Sequence, residues 1–114
     1  MAAGDVTIVA DITHGRGERG CLRQIWGTVV LDGSNPTPVQ LSGYLSAIFG
    51  CNASMSGSTA TGADPNQITA LINGTSLDIY AWKVTAGGAA GNPTEVASTD
   101  NARVINWEAA GPKA

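Results

Sequence analysis

The sequence predicts an all-β protein, a single-domain β-sandwich or small barrel, a jelly-roll-like arrangement included, with long Gly/Ser/Thr loops. Three observations predict it. Charged residues make up only 13% of the 114 residues against 43% apolar, so polarity comes from Gly, Ser, Thr and Asn, not from the Glu, Lys and Leu pattern of a helical bundle. Fifteen glycines punctuate short runs rich in Val, Ile and Thr, which favour extended backbone. Several of those runs alternate with a period of two, the signature of a half-buried strand.

From Asp5 to Thr13, Val6, Ile8, Ala10 and Ile12 alternate with Thr7, Val9, Asp11 and Thr13 as a first strand. The stretch HGRGERG, His14 to Gly20, then reads as a turn joining two strands. Its glycines match neither a phosphate-binding loop nor a dinucleotide fingerprint, because the next segment is another strand-like run instead of a helix. That run, CLRQIWGTVVL, sets Cys21, Ile25, Val29 and Leu31 on one parity and Leu22, Trp26 and Val30 on the other, so both of its faces look covered. DGSNPTP ends it with residues that each favour turns. The segment LSGYLSAIFG fits a turn of helix or the start of a strand, and from about Ala47 to Ser56 the residues Ala47, Phe49, Cys51, Ala53 and Met55 share one face. GSTATGADPNQ is a long, nearly uncharged loop.

The pair Asn73–Gly74, between two β-rich runs, predicts a tight hairpin in which both residues take positive φ. On its second strand Leu77, Ile79 and Ala81 alternate with Asp78, Tyr80 and Trp82. GGAAGNPT is a connection, and ARVINWEAAG is a last strand stopped by the tail at residues 111–114. The sum is about six strands with turns between them, the spacing of a sandwich or barrel. The whole chain, 1–114, is one domain on this reading, with residues 1–4 as a candidate arm.

Composition also excludes functions. The net charge is -3, and the one basic cluster, Arg16, Arg19 and Arg23, is offset by Glu18, so no nucleic-acid footprint or membrane-surface patch is expected. The start, MAAGDVTIVAD, lacks a basic n-region and breaks its apolar run at Asp11, so it reads as neither signal peptide nor membrane span. Without a secretory route Cys21 and Cys51 are expected to be unpaired small hydrophobes, and the sequons at Asn52 and Asn73 carry no weight. The single histidine, His14, and scattered carboxylates offer no catalytic constellation and no zinc spacing, so the chain is expected not to be an enzyme and to need no cofactor or metal. TGADPN and STDNAR carry oxygens suited to calcium but lack the spacing of a binding loop. Trp26, Trp82 and Trp107 fall on three strand-like segments. They are either core or, if they share an exposed face, a sugar-stacking platform or protein interface.

Taken together, RGCLRQIWGTVVLDGSNPTPVQLSG and SLDIYAWKVTAGGAAGNPTEVAST resemble small virion proteins of tailed bacteriophages. There a Gly/Arg turn leads into a strand ending in G-T-V-x-[LF], a G-S-x-P-T-like turn comes next, and an aromatic-rich strand leads into K-V-T-A. The resemblance covers roughly Asp5 to Trp107. It implies a β-rich capsid decoration, or cement, protein on the outer surface of the phage head, made in the host cytoplasm and clamping neighbouring subunits of the major capsid protein. The matched residues are Arg16, Arg19 and Arg23 with WGTVVLDGSNPTP, and Tyr80, Trp82 and Lys83. The HGRGERGC turn, Cys21, Cys51 and the low aromatic content depart from the pattern. On this reading Arg16, Arg19, Arg23, Trp26, Tyr80, Trp82 and Trp107 are candidate capsid or subunit contacts, and a homotrimer would match the threefold sites of a shell. Residues 1–4 would add a strand to a neighbour's sheet edge. The competing expectations are a carbohydrate-binding sandwich on a virion or fibre, and a head–tail or tail component.

Overall fold

The clearest alternation in the chain, Val104–Pro112, forms a strand at the centre of a sheet, with Ile105, Trp107, Ala109 and Gly111 buried and the residues between them more exposed. In the computed structural model, which describes residues 2–17, 20–55, 65, 67–85 and 94–114, this is the last of eight strands. The others are β1 (Val6–Gly17), β2 (Gly20–Val30), β3 (Thr37–Gln40), β4 (Gly50–Met55), β5 (Gln67–Asn73), β6 (Ser76–Thr85) and β7 (Thr94–Ala97), which makes the final strand β8. All pairings are antiparallel. One sheet runs β1-β2-β8-β4; in the other, β6 pairs β5 on one side and both β3 and β7 as further partners. The protein is a small all-β sandwich. The expected loops at 57–67 and 87–94 fall largely outside the described residues.

The core is where the two inner faces meet. β2 contributes Ile25 and Val29, β8 contributes Ile105, Trp107 and Ala109, β3 contributes Val39, and β6 contributes Leu77, Ile79 and Ala81; Leu31, Leu41, Leu45 and Ile48 close it from the connections. Burying such side chains is the main favourable term in folding. Gly27 lies between Ile25 and Val29 on the inner face of β2, and the indole of Trp107 lies against it: an ideal Cβ there would sit 2.5 Å from Trp107 Cζ2 and would strike the carbonyl oxygen of Thr7. The glycine makes room for the largest core side chain.

Several expectations change on contact with the fold. β1 continues past Thr13 through Gly17, which pairs with Gly20, so most of the expected joining turn is strand; Glu18 and Arg19 lie outside the described residues. A bulge at Val9, between Ile8 and Ala10, shifts the register. Because one extra residue reverses the alternation, Val6 and Ile8 share the inner face with Val29 and Gly27, whereas Ala10 and Ile12 lie on the outer face opposite Trp26 and Gln24. The four residues expected on one face are therefore split two and two. Phe49, expected to share a face with Cys51, is 72% exposed, because β4 begins only at Gly50; the segment before it turns at Ser42–Tyr44 and makes a bridge at Leu45. Ala2 and Asp5 close a turn, with Gly4 N donating to Val30 O at 2.8 Å, so the described part of the expected arm is folded onto its own chain. The expected tail is also structured. β8 runs through Pro112, Lys113 bridges Leu45, and Ala114 N donates to Tyr44 O at 3.0 Å.

The β5–β6 hairpin is present, but its turn is displaced by one residue. Asn73 pairs with Ser76, leaving Gly74 and Thr75 as the two-residue loop. Gly74 has φ 62 and no described non-glycine residue has positive φ, which identifies a turn with glycine at its first central position. Gly74→Ala is therefore expected to destabilise the protein by about 1–2 kcal/mol, the cost of a Cβ in the left-handed region. Asn73→Ala, which removes one exposed hydrogen bond to Asp78, stays within about 0.5 kcal/mol. Urea unfolding of both variants checks the turn register; equal losses would refute it.

Candidate functional site

Of the three arginines expected to meet a partner, Arg19 and the side chain of Arg16 lie outside the described residues. Arg23 is engaged within the chain. Its Nε donates to Asp11 Oδ1 at 2.8 Å, Nη2 pairs with Asp11 Oδ2, and Nη1 donates to the Tyr44 carbonyl oxygen at 3.2 Å. The guanidinium also lies 5.1 Å from the Tyr44 ring centroid, within cation–π range. The hydrogen bond from Arg23 holds the Asp11 carboxyl below its usual range, and Asp11 in turn raises the Arg23 pKa. The Val9 bulge makes this pair: by reversing the alternation it brings Asp11 to the same face of the sheet as Arg23. Arg23 is thus a strut between β1, β2 and the Tyr44 turn.

The aromatic candidates divide by face. Trp107 is 2% exposed and belongs to the core, its position set by the inward parity of β8. Trp26 is partly exposed on the outer face of the first sheet. Tyr80 and Trp82, two residues apart on β6, project from the outer face of the second, with ring planes 7° apart and centroids 6.0 Å apart. Lys83 is the next residue, opposite Val96.

Two surfaces result, on opposite sides of the sandwich. On the second sheet, Tyr80 and Trp82 stand with Leu71, 52% exposed, and Val84, 50% exposed. At the free edge of the first sheet, Val9 is 68% exposed, with Ile12 and Leu22 also exposed nearby. These aliphatic residues escaped the sequence reading because exposure depends on which strands are edges and on where the bulge falls.

The outer face of β2, β8 and β4 carries a different chemistry. The register aligns Trp26 with Glu108 and Glu108 with Asn52, and in the next row Thr28 with Asn106 and Asn106 with Ser54. A depression of about 180 Å³ is lined by Trp26, Asn52, Ser54, Asn106 and Glu108 among others. Beside it, a second of about 230 Å³ is lined by Gln24, Gly50, Glu108 and Ala110 among others, so Glu108 belongs to both. Glu108, Asn52, Asn106 and Ser54 were not anticipated; the only signal for them was their outward parity on strands whose pairing the sequence does not reveal.

Other candidates carry less. Cys51 is a free thiol, its Sγ 3.9 Å from the Ala70 carbonyl oxygen, and burial pushes its pKa up, which makes it a poor nucleophile at neutral pH. The side chain of Cys21 lies outside the described residues. His14 bonds Gln24 Oε1 at 3.1 Å on an exposed surface. Among the described residues no three His, Cys, Asp or Glu side chains gather as metal ligands, and no helix is long and apolar enough to cross a membrane. Most of TGADPN lies outside the described residues. In STDNAR, Asp100 Oδ1 accepts from the backbone N–H groups of Ala102 and Arg103 at 2.8 and 2.7 Å, which organises a turn. The chain matches no protein-family model, and neither a curated protein nor a solved structure shows significant similarity to it.

Proposed function

We propose that this chain is a structural virion protein, a capsid decoration or cement protein that sits on the outer surface of a tailed-phage head as a homotrimer and stabilises contacts between major capsid protein subunits. The observation that carries the reading is the pair of apolar surfaces on opposite sides of one small sandwich, one around Tyr80, Trp82, Leu71 and Val84 and the other around Val9, Ile12 and Leu22. A protein that binds one small ligand needs a single concave site. A clamp between subunits and its own copies needs at least two separate apolar surfaces, since these are what associating proteins bury. The resemblance of the Gly/Arg turn, WGTVVLDGSNPTP and the Tyr80–Lys83 run to phage decoration proteins points the same way.

The test is co-sedimentation of the full chain with expanded, DNA-free heads of the phage whose genome carries it, together with native mass measured across concentration. Saturable binding at a fixed number of copies per capsid is expected. Val84→Lys on the second sheet and Ile12→Lys at the free edge should separate head binding from self-association, each lowering one of the two at least about tenfold, the equivalent of 1.4 kcal/mol. Absence of binding to expanded heads, with the protein folded, would overturn the proposal.

A further inference from the structure

We propose that the outer face of β2, β8 and β4 is a saccharide-binding groove that takes a short neutral glycan, with Trp26 as the stacking platform and Glu108, Asn52, Asn106 and Ser54 as its hydrogen-bonding rim.

A pyranose ring presents two different surfaces. Its axial C–H groups form an apolar patch, and its hydroxyls radiate around the edge as donors and acceptors. A site for it therefore combines an aromatic face with planar polar side chains placed to the side of that face. The outer face provides this combination. Trp26, Glu108 and Asn52 stand in one row across three strands, and adjacent strands are about 4.8 Å apart, so the row spans about 10 Å, longer than a single sugar ring. Asn106 and Ser54 form the next row, about 7 Å along the strands.

The polar groups are also available. The side chains of Glu108, Asn106 and Ser54 are held by no other group among the described residues, whereas those of Gln24 and Asn52 bond His14 and the Ala53 amide. A carboxylate is an acceptor with several lone-pair directions, which suits it to two neighbouring hydroxyls. Glu108 also lines both adjacent depressions, which extends the groove beyond a single ring along the strands. The described lining carries no cationic side chain, so a neutral glycan fits better than an acidic one. The Tyr80–Trp82 surface differs in this respect: its neighbours Leu71 and Val84 are aliphatic, which suits a protein contact. Trp26, Glu108, Asn52, Asn106 and Ser54 belong to neither apolar surface, although Ile12, opposite Gln24, and Leu22 of β2 adjoin the groove on the same outer face.

The experiment is a ¹⁵N-edited NMR titration of the full-length protein with three probes, cellobiose, maltose and N,N′-diacetylchitobiose, each to tens of millimolar. Saturable shifts are expected for at least one probe, centred on the amides of Trp26, Asn52, Asn106 and Glu108 and on the Trp26 indole. Trp26→Ala should weaken binding at least about tenfold. Glu108→Gln, which keeps the shape and removes only the charge, should weaken it severalfold in a protein whose spectrum is otherwise unchanged. Trp82→Ala should leave it intact. No saturable shift with any of the three, shifts centred on Tyr80 and Trp82, or full binding by Glu108→Gln and Trp26→Ala would each overturn the proposal.

Discussion

Gly27→Ala is expected to cost about 3 kcal/mol, near the upper end for overpacking a well-filled core. The added methyl group would sit 2.5 Å from Trp107 Cζ2 and 2.9 Å from Cε2, and it would collide with the backbone carbonyl oxygen of Thr7. Neither obstacle gives way easily. The indole is 2% exposed and packed in the core, and Thr7 is fixed to β2 by its pairing with Thr28, the residue next to Gly27. At the few degrees per kcal/mol typical of a domain this size, the melting temperature should fall by roughly 10 °C or more. Differential scanning calorimetry of the variant decides it. A loss below about 0.5 kcal/mol, the range of ordinary surface changes, would show that Trp107 does not rest on Gly27.

The second large effect is a cavity. Ile79 is fully buried at the centre of β6, flanked by Thr37 of β3 and Ala70 of β5. Ile79→Ala removes buried methyl and methylene groups that flanking strands cannot fill by moving, and large-to-small changes of this type cost about 2–5 kcal/mol. Ile72 is its control. It belongs to the same hairpin and faces the same side of the sheet, but it is 46% exposed on an edge strand. Ile72→Ala should therefore cost under about 1 kcal/mol. Denaturant midpoints, with the slope m checked for constancy, would show a gap of at least about 1 kcal/mol between the two if the sandwich packs as described; equal losses would contradict the assigned core.

This pair also shows how much the sequence disclosed. Ile72 and Ile79 look equivalent in the one-dimensional pattern, each an apolar residue in an alternating run beside a turn. The existence of the hairpin was legible because Gly74 and the flanking β-branched residues act locally. The difference in burial was not, because it depends on β5 being an edge and β6 being central. For the same reason β8 was readable from Val104 to Trp107, where alternation is strict, whereas β3 and β7 were missed. Each has only four residues, and β3 contains Pro38, whose missing N–H confines it to an edge or bulge. The Val9 bulge is invisible to a rule that assumes unbroken alternation, and it decides two things at once: the exposure of Ile12 and the meeting of Asp11 with Arg23.

The functional surfaces follow the same division. That three tryptophans stand on strands was evident from the sequence. Which of them is core was not, since Trp26 and Trp107 occupy similar positions in similar runs; only the registers of β2 with β8 and β8 with β4 place one inward and the other beside Glu108 and Asn52. In the sequence Arg23 groups with Arg16 and Arg19 as a basic cluster offset by Glu18. Its actual partner, Asp11, lies across a strand pair, and Tyr44 comes from a later connection.

The position of β8 between β2 and β4 has a consequence for the order in which the molecule comes into being. β1 and β2 emerge from the ribosome before the other strands of the sandwich and are close in sequence, so they can zip together early. The inner partner that β2 requires, however, is the last strand of the sandwich to be made. Until Val104–Pro112 arrives, the first sheet is two separate pieces, and the backbone edge of β2 that β8 will pair has only water or other chains beside it. Such long-range closure is slow relative to hairpin formation. The interval between the two is the time during which the newborn chain depends on being left alone, or on being held, before its last strand slides into the gap.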